Sequence, residues 1–368
     1  MRLAPPPAEP EEPGQFWKDF IRDTAPVFRK STFEQLAEFI APTWQALVDG
    51  ARYVDDRLVE VLADVAPDVV VEDNVVGFPA ILSSGRPWVR IVSCNPLEVK
   101  DPALPPTFSG LPLGDPSEWD AFREEYARQV GELQRSFSEF CVERGAPSLP
   151  ALEFIHESRW LNLTLYPAEL DYSRSSSLGG NWRNLQTSVR ATDAPWSPPE
   201  PHGRALVYLS LGSLGSADVP LMRRLVEELA DTPHQYVVSK GPQHAEFELA
   251  ENMVGEEFLP QTSILPHVDA VITHGGNNTT TECMWFGKPM VVLPVFWDQH
   301  DNAQRVHETG YGIRLATYDF EDGELAAALD CVLTDEMLRA RSTAAGERLQ
   351  QRPGTVLAAD LIEGVATS

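Results

Sequence analysis

Residues 270–299 read Ala270-Val-Ile-Thr-His-Gly-Gly-Asn-Asn-Thr279, Thr280-Thr-Glu-Cys-Met-Trp-Phe-Gly-Lys-Pro289 and Met290-Val-Val-Leu-Pro-Val-Phe-Trp-Asp-Gln299. The β-branched run from Ala270 to Thr273 fits a strand buried on both faces. Two glycines break it, and Asn and Thr residues open a helix expected over Thr279 to Phe286. A second apolar run, Met290 to Pro294, reads as the next strand. Strand, helix and strand in this order make a parallel βαβ unit. The turn between the first strand and the helix is suited to an anion. Gly276 lets the backbone approach a ligand closely, and Asn277, Asn278 and Thr279 leave free N–H groups at a helix start, where the dipole favours negative charge. His274 adds a donor for a phosphate oxygen. Glu282, placed in the first helical turn on the ligand side, suits a bidentate grip on ribose hydroxyls. Asp298 and Gln299, past the next strand, offer acceptors and donors for sugar hydroxyls.

The same alternation extends outward. Upstream lie a strand from Ala205 to Ser210, a loop Leu211-Gly-Ser-Leu-Gly-Ser216, a helix from Val219 to Ala230 and a strand from Tyr236 to Ser239. Ala194-Pro-Trp-Ser-Pro-Pro-Glu-Pro201 carries four prolines in eight residues, and a semi-rigid linker is expected over 194–204. Before it, residues 14–193 form a first unit. Phe33, Leu36, Phe39 and Ile40, then Val54, Leu58, Val61 and Leu62, recur at helical spacing. Strands are expected at Val69 to Val71, Trp88 to Val92 and Trp160 to Leu165, with a helix from Trp119 to Cys141. Asp73 follows the first of these strands, at a carboxyl end where open α/β sheets place ligand groups. Residues 1–13 are Pro/Glu-rich and read as a disordered lead, and 205–368 form the second unit. The fold class is α/β, with two Rossmann-like, doubly wound parallel sheets facing across a cleft.

Composition narrows the function. With 29 Lys and Arg against 55 Asp and Glu, the chain carries a net charge of −26, which repels nucleic acid and anionic lipid. An anionic ligand must therefore be held by a local device. No run approaches the roughly 18 apolar residues of a membrane span. The four cysteines are widely spaced and suit a reduced cytoplasm rather than zinc or a disulfide framework.

The stretch from Phe258 to Gln299 resembles the donor-binding signature of family 1 glycosyltransferases of the GT-B fold, including plant and bacterial natural-product enzymes. That signature runs W-x-P-Q, H-x-G-x-N-S/T, E and, sixteen residues later, D-Q. Here it reads Phe258-Leu-Pro-Gln261, His274 to Thr279, Glu282 and Asp298-Gln299, with the spacing kept. The resemblance implies that Phe258 stacks on the nucleotide base in place of Trp and that Gln261 lies near base and ribose. It assigns the diphosphate to His274, Asn278, Thr279 and Ser213, the ribose to Glu282, and the donor sugar to Asp298 and Gln299. Asn277 stands where plant members have Trp, as in the bacterial branch.

Asp73 resembles the acidic partner that orients the family's catalytic histidine. The earliest of the chain's eight histidines is His156. At roughly 30 residues per βαβ unit, about one and a half to two βα units of the first lobe are expected to be missing. Either the start given lies downstream of the real one, or the chain is a natural remnant. A sheet so shortened would expose an apolar edge. The implied activity is inverting, metal-independent transfer of a hexosyl group from a UDP- or TDP-sugar, a substrate rather than a cofactor, to a hydroxyl of a small lipophilic acceptor. Two other readings stay open: a nucleotide-sugar-binding remnant without catalysis, and another GT-B enzyme such as a nucleotide-sugar epimerase or a lipid-linked sugar transferase.

Overall fold

The computed structural model describes residues 15–190, 193–200 and 204–367. The lead at 1–13 and part of the expected linker, residues 201–203, lie outside the described residues. The first sheet holds β1 (Val70–Asp73), β2 (Trp88–Val92), β3 (Leu161–Thr164) and β4 (Trp182–Asn184), all parallel and in that spatial order. The second holds β5 (Leu206–Ser210), β6 (Gln235–Ser239), β7 (Met253–Glu256), β8 (Ala270–Thr273), β9 (Met290–Val292) and β10 (Gly312–Arg314). Its order is β10-β9-β8-β5-β6-β7, again all parallel.

The chain leaves β5 toward β6 on one side and later returns to place β8 on the other. This reversal is the topological switch point, and in an open α/β sheet the crevice beyond the carboxyl ends of the two strands takes the ligand. Every residue of β5 and β8 is buried, which explains why both read as uninterrupted apolar runs. The helix Val219–Ala230 covers one face of the sheet with Leu221, Met222, Leu225 and Leu229, and the Asp218 side chain accepts from the Leu221 N–H at its start.

In the first lobe, helices Ala41–Val65 and Trp119–Glu143 bury Trp44, Val48, Phe122, Val130 and Phe137 in one core. The last helix, Gly354–Ala366, crosses back from the second lobe and lays Leu361 and Ile362 on Val89, Leu161 and Leu163. A Cβ on Gly354 would sit 1.9 Å from the Thr187 carbonyl oxygen, so glycine is required at that crossing.

The strand β1 extends to Asp73 instead of stopping at Val71, so Asp73 is its last residue rather than lying beyond it. The site helix begins at Asn277 instead of Thr279, which moves Glu282 from the first turn to the second. The strands β4, β7 and β10, absent from the sequence reading, are all sheet edges of three or four residues, too short for any period to show.

β1 is also an edge strand. Val71 is exposed there, beside a groove lined by Val54, Leu58 and Val61. Glu72 on the same strand is buried; its Oε1 accepts from the Phe78 N–H at 3.2 Å. Burial pushes its carboxyl up to about 8, against the Phe78 bond and the nearby Arg90. The unfolded chain releases that proton near pH 4.3, so the contribution of Glu72 is full below about pH 4 and is lost as pH rises through about 8. Glu72→Gln, neutral throughout, is therefore expected to lose less stability than the unaltered protein between about pH 5 and 8. Urea unfolding at both values tests this, and an equal loss in the two proteins would contradict it.

Candidate functional site

At the switch point β5 runs into the helical turn Gly212–Gly215, and β8 runs into His274, Gly275 and Gly276. Two glycines hold the His274 ring between them. A Cβ on Gly212, where φ is +70°, would lie 2.9 Å from the ring, and one on Gly276 would lie 2.5 Å from Nε2. Burial drives the imidazole down to about 4, against a hydrogen bond to the Ser210 backbone, so the ring is neutral near pH 7. The helix Asn277–Trp285 starts beside it with Gly276 as a cap residue that supplies no side chain, which leaves the first N–H groups without a side-chain acceptor.

These elements border a cleft of about 500 Å³. Ser213 and Asn278 are exposed on its walls, and His274, Gly276 and Thr279 form its floor. Phe258 stands at the rim with 60% of its surface exposed, an aromatic face with nothing stacked on it among the described residues. Gln261 also lines the cleft and donates its amide to Thr279 Oγ1 at 3.2 Å and to Glu282 Oε2. Gln299 lines it too, while its Oε1 accepts from the Val295 N–H at 3.0 Å and the Phe296 N–H at 3.2 Å.

The other expected residues are placed differently. Glu282 is buried behind the wall, where Oε1 accepts from Arg190 Nη1 at 3.1 Å. Burial raises its carboxyl, and the Gln261 and Arg190 contacts pull the other way. Asn277 lines the cleft but spends its side-chain amide on the Ser93 carbonyl at 2.7 Å. Asp298 faces the first lobe: its Oδ2 accepts from the Asn95 N–H at 2.9 Å, and burial lifts it to about 6. Asp73 lies outside the cleft and accepts from Ser93 Oγ at 2.6 Å. Ser93 thus joins Asp73 to Asn277, and through it to the helix start.

Three groups escaped the sequence reading. Asn95 Nδ2 donates to Asn302 Oδ1 at 2.8 Å, and Asn302 Nδ2 donates to the Gly275 carbonyl at 2.9 Å. Asp301 accepts from the Phe108 N–H at 2.6 Å and the Gly110 N–H at 2.8 Å, clasping the two lobes. Arg190 holds Glu282. The spacing of Asp298, Asp301 and Asn302 puts them on one helical face, a signal that was there to be found. Arg190 sits in an aperiodic segment and left no such trace. Among the described residues, no group of three or more His, Cys, Asp or Glu is arranged to hold a metal ion, and no helix is long and apolar enough to cross a membrane.

The model for UDP-glucoronosyl and UDP-glucosyl transferases matches residues 200–344. UDP-glycosyltransferase 76H1 of Stevia rebaudiana is 35% identical over 338 residues, covering 77% of this chain and 73% of the relative. Demethyllactenocin mycarosyltransferase of Streptomyces fradiae is 25% identical over 355 residues, covering 94% of this chain and 74% of the relative. The crystal structure of the glycotransferase of kitacinnamycin superposes with a TM-score of 0.71 at 22% identity, covering 92% of this chain and 85% of that one. The likeness in structure establishes the GT-B arrangement of the two sheets.

Proposed function

Because the chain belongs to the UDP-glucoronosyl and UDP-glucosyl transferase family, we propose that it moves a hexosyl group from a UDP- or TDP-linked sugar to a hydroxyl of a small lipophilic acceptor, inverting the anomeric centre. The observation that carries this reading is the side-chain-free start of the helix Asn277–Trp285, opening beside His274 into the switch-point cleft. A chain of net charge −26 needs such a device to hold a diphosphate. In transfer, the acceptor oxygen attacks the anomeric carbon as the bond to the diphosphate oxygen breaks. The negative charge growing on the leaving group falls where the helix N–H groups and the His274 ring are already fixed, so little reorganisation is needed. This charge stabilisation requires no metal ion. Phe258 offers its exposed face to the base, and Gln299 borders the region assigned to the donor sugar. Asp73, which accepts from Ser93 Oγ, is the carboxylate this reading assigns to orienting the group that takes the acceptor proton, as the resemblance implies.

His274→Ala is expected to weaken UDP binding by about 1.5–3 kcal/mol, the worth of a hydrogen bond to a charged group. Calorimetric titration measures this directly. Equal affinities for the variant and the unaltered protein would remove His274 from the diphosphate site.

A further inference from the structure

Arg190 occupies an unusual position for a residue of an aperiodic segment. Its Nε and Nη2 fork onto the two oxygens of Asp193 at 2.9 and 3.2 Å, while Nη1 reaches Glu282 Oε1 at 3.1 Å. Asp193 is fixed in turn, because its Oδ2 accepts from the Thr262 N–H at 2.9 Å and from Thr262 Oγ1 at 2.8 Å. The guanidinium is thus tethered at one edge and shared with the cleft wall at the other. Its side chain keeps 47% of its surface exposed, and it borders the same cleft as Ser213, Gly276 and Asn278. It is the one lysine or arginine among the described residues lining that cleft, and His274 is neutral there.

Resting on the donor-site reading above, we propose that Arg190 is the cation that recognises the diphosphate of the incoming nucleotide, released from Glu282 when ribose hydroxyls take its place. Glu282 lies four residues after Asn278 on the same helix, so the two side chains start roughly 5–6 Å apart. A guanidinium held at Glu282 is therefore about one helical turn from the N–H groups at the helix start. Ribose hydroxyls donating to Glu282 satisfy the carboxylate that Nη1 now satisfies. The fork to Asp193 keeps the freed group beside the cleft, where a diphosphate gives it a new partner. The exchange keeps the buried Glu282 carboxylate partnered before and after binding, which avoids leaving an unpaired charge behind the wall. It also makes phosphate recognition dependent on ribose recognition.

The test compares UDP with uridine by calorimetry in the full chain, using the unaltered protein, Arg190→Gln and Arg190→Lys. Arg190→Gln is expected to weaken UDP roughly tenfold to a hundredfold and to reduce its salt dependence, with uridine affinity unchanged or tighter. Arg190→Lys should recover part of the UDP affinity, because it keeps the charge while losing the fork. Equal weakening of UDP and uridine would make Arg190 a structural support for Glu282 and overturn the proposal. Tighter binding of both ligands by Arg190→Gln would make it a simple obstruction and overturn it as well. Failure of the unaltered protein to bind either ligand would instead overturn the donor-site reading, and this inference with it.

Discussion

Asp73→Asn is expected to slow sugar transfer by roughly 10²–10⁴-fold, the range lost with an acid–base group, while UDP affinity stays at the unaltered level. The expectation rests on where Asp73 lies. It closes β1, its carboxylate is exposed and accepts from Ser93 Oγ, and it does not border the cleft proposed for the nucleotide. Asparagine keeps the size and can still accept from Ser93, but it can neither take up a proton nor orient a group that does. The effect should therefore fall on the rate alone. Initial rates with a UDP-sugar and a lipophilic alcohol, set beside calorimetric UDP titrations, separate the two quantities. Transfer at the unaltered rate would remove Asp73 from the chemistry, and a parallel loss of UDP affinity would mean that Ser93 passes the change on to Asn277 and the helix start.

Asp301→Ala is expected to cost about 2–5 kcal/mol of folding stability, because it strands the Phe108 and Gly110 N–H groups inside the interface of the two lobes. Asp301 is almost fully buried. Asparagine is expected to rescue little. An amide presents one oxygen and one NH₂, so one of the two backbone donors would face another donor. Urea denaturation of both variants gives the measurement, and a loss below about 0.5 kcal/mol would show that the clasp contributes nothing measurable to stability. Burial holds the Asp301 carboxyl up near 7, so its own contribution weakens as pH rises toward 7.

Much of the second lobe was legible in the sequence because its central strands are buried on both faces. Leu206–Ser210 and Ala270–Thr273 have no polar face to blur the signal, and the glycines after β8 mark the turn before the helix. The edge strands were not legible: Met253–Glu256 and Gly312–Arg314 are short, interrupted by glycine or charge, and defined by the neighbour they pair with. The site divides in the same way. The turn around His274 and Asn278 shows in the sequence because the close packing and backbone there demand glycine at 275 and 276, between the strand and the helix. What Glu282, Asn277 and Asp298 touch depends on partners 92, 184 and 203 residues away, and nothing in the local pattern of residues carries that information. Arg190 is a mixed case: its fork to Asp193 is local, but its contact with the cleft wall depends on the tertiary position of Glu282.

The most direct test of the donor-site reading is a crystal structure of the protein soaked with UDP. The diphosphate is expected within hydrogen-bond distance of the backbone N–H groups at the start of the helix Asn277–Trp285, with the uracil against the face of Phe258. Nucleotide density elsewhere on the molecule, or an empty switch-point cleft at saturating UDP, would contradict it.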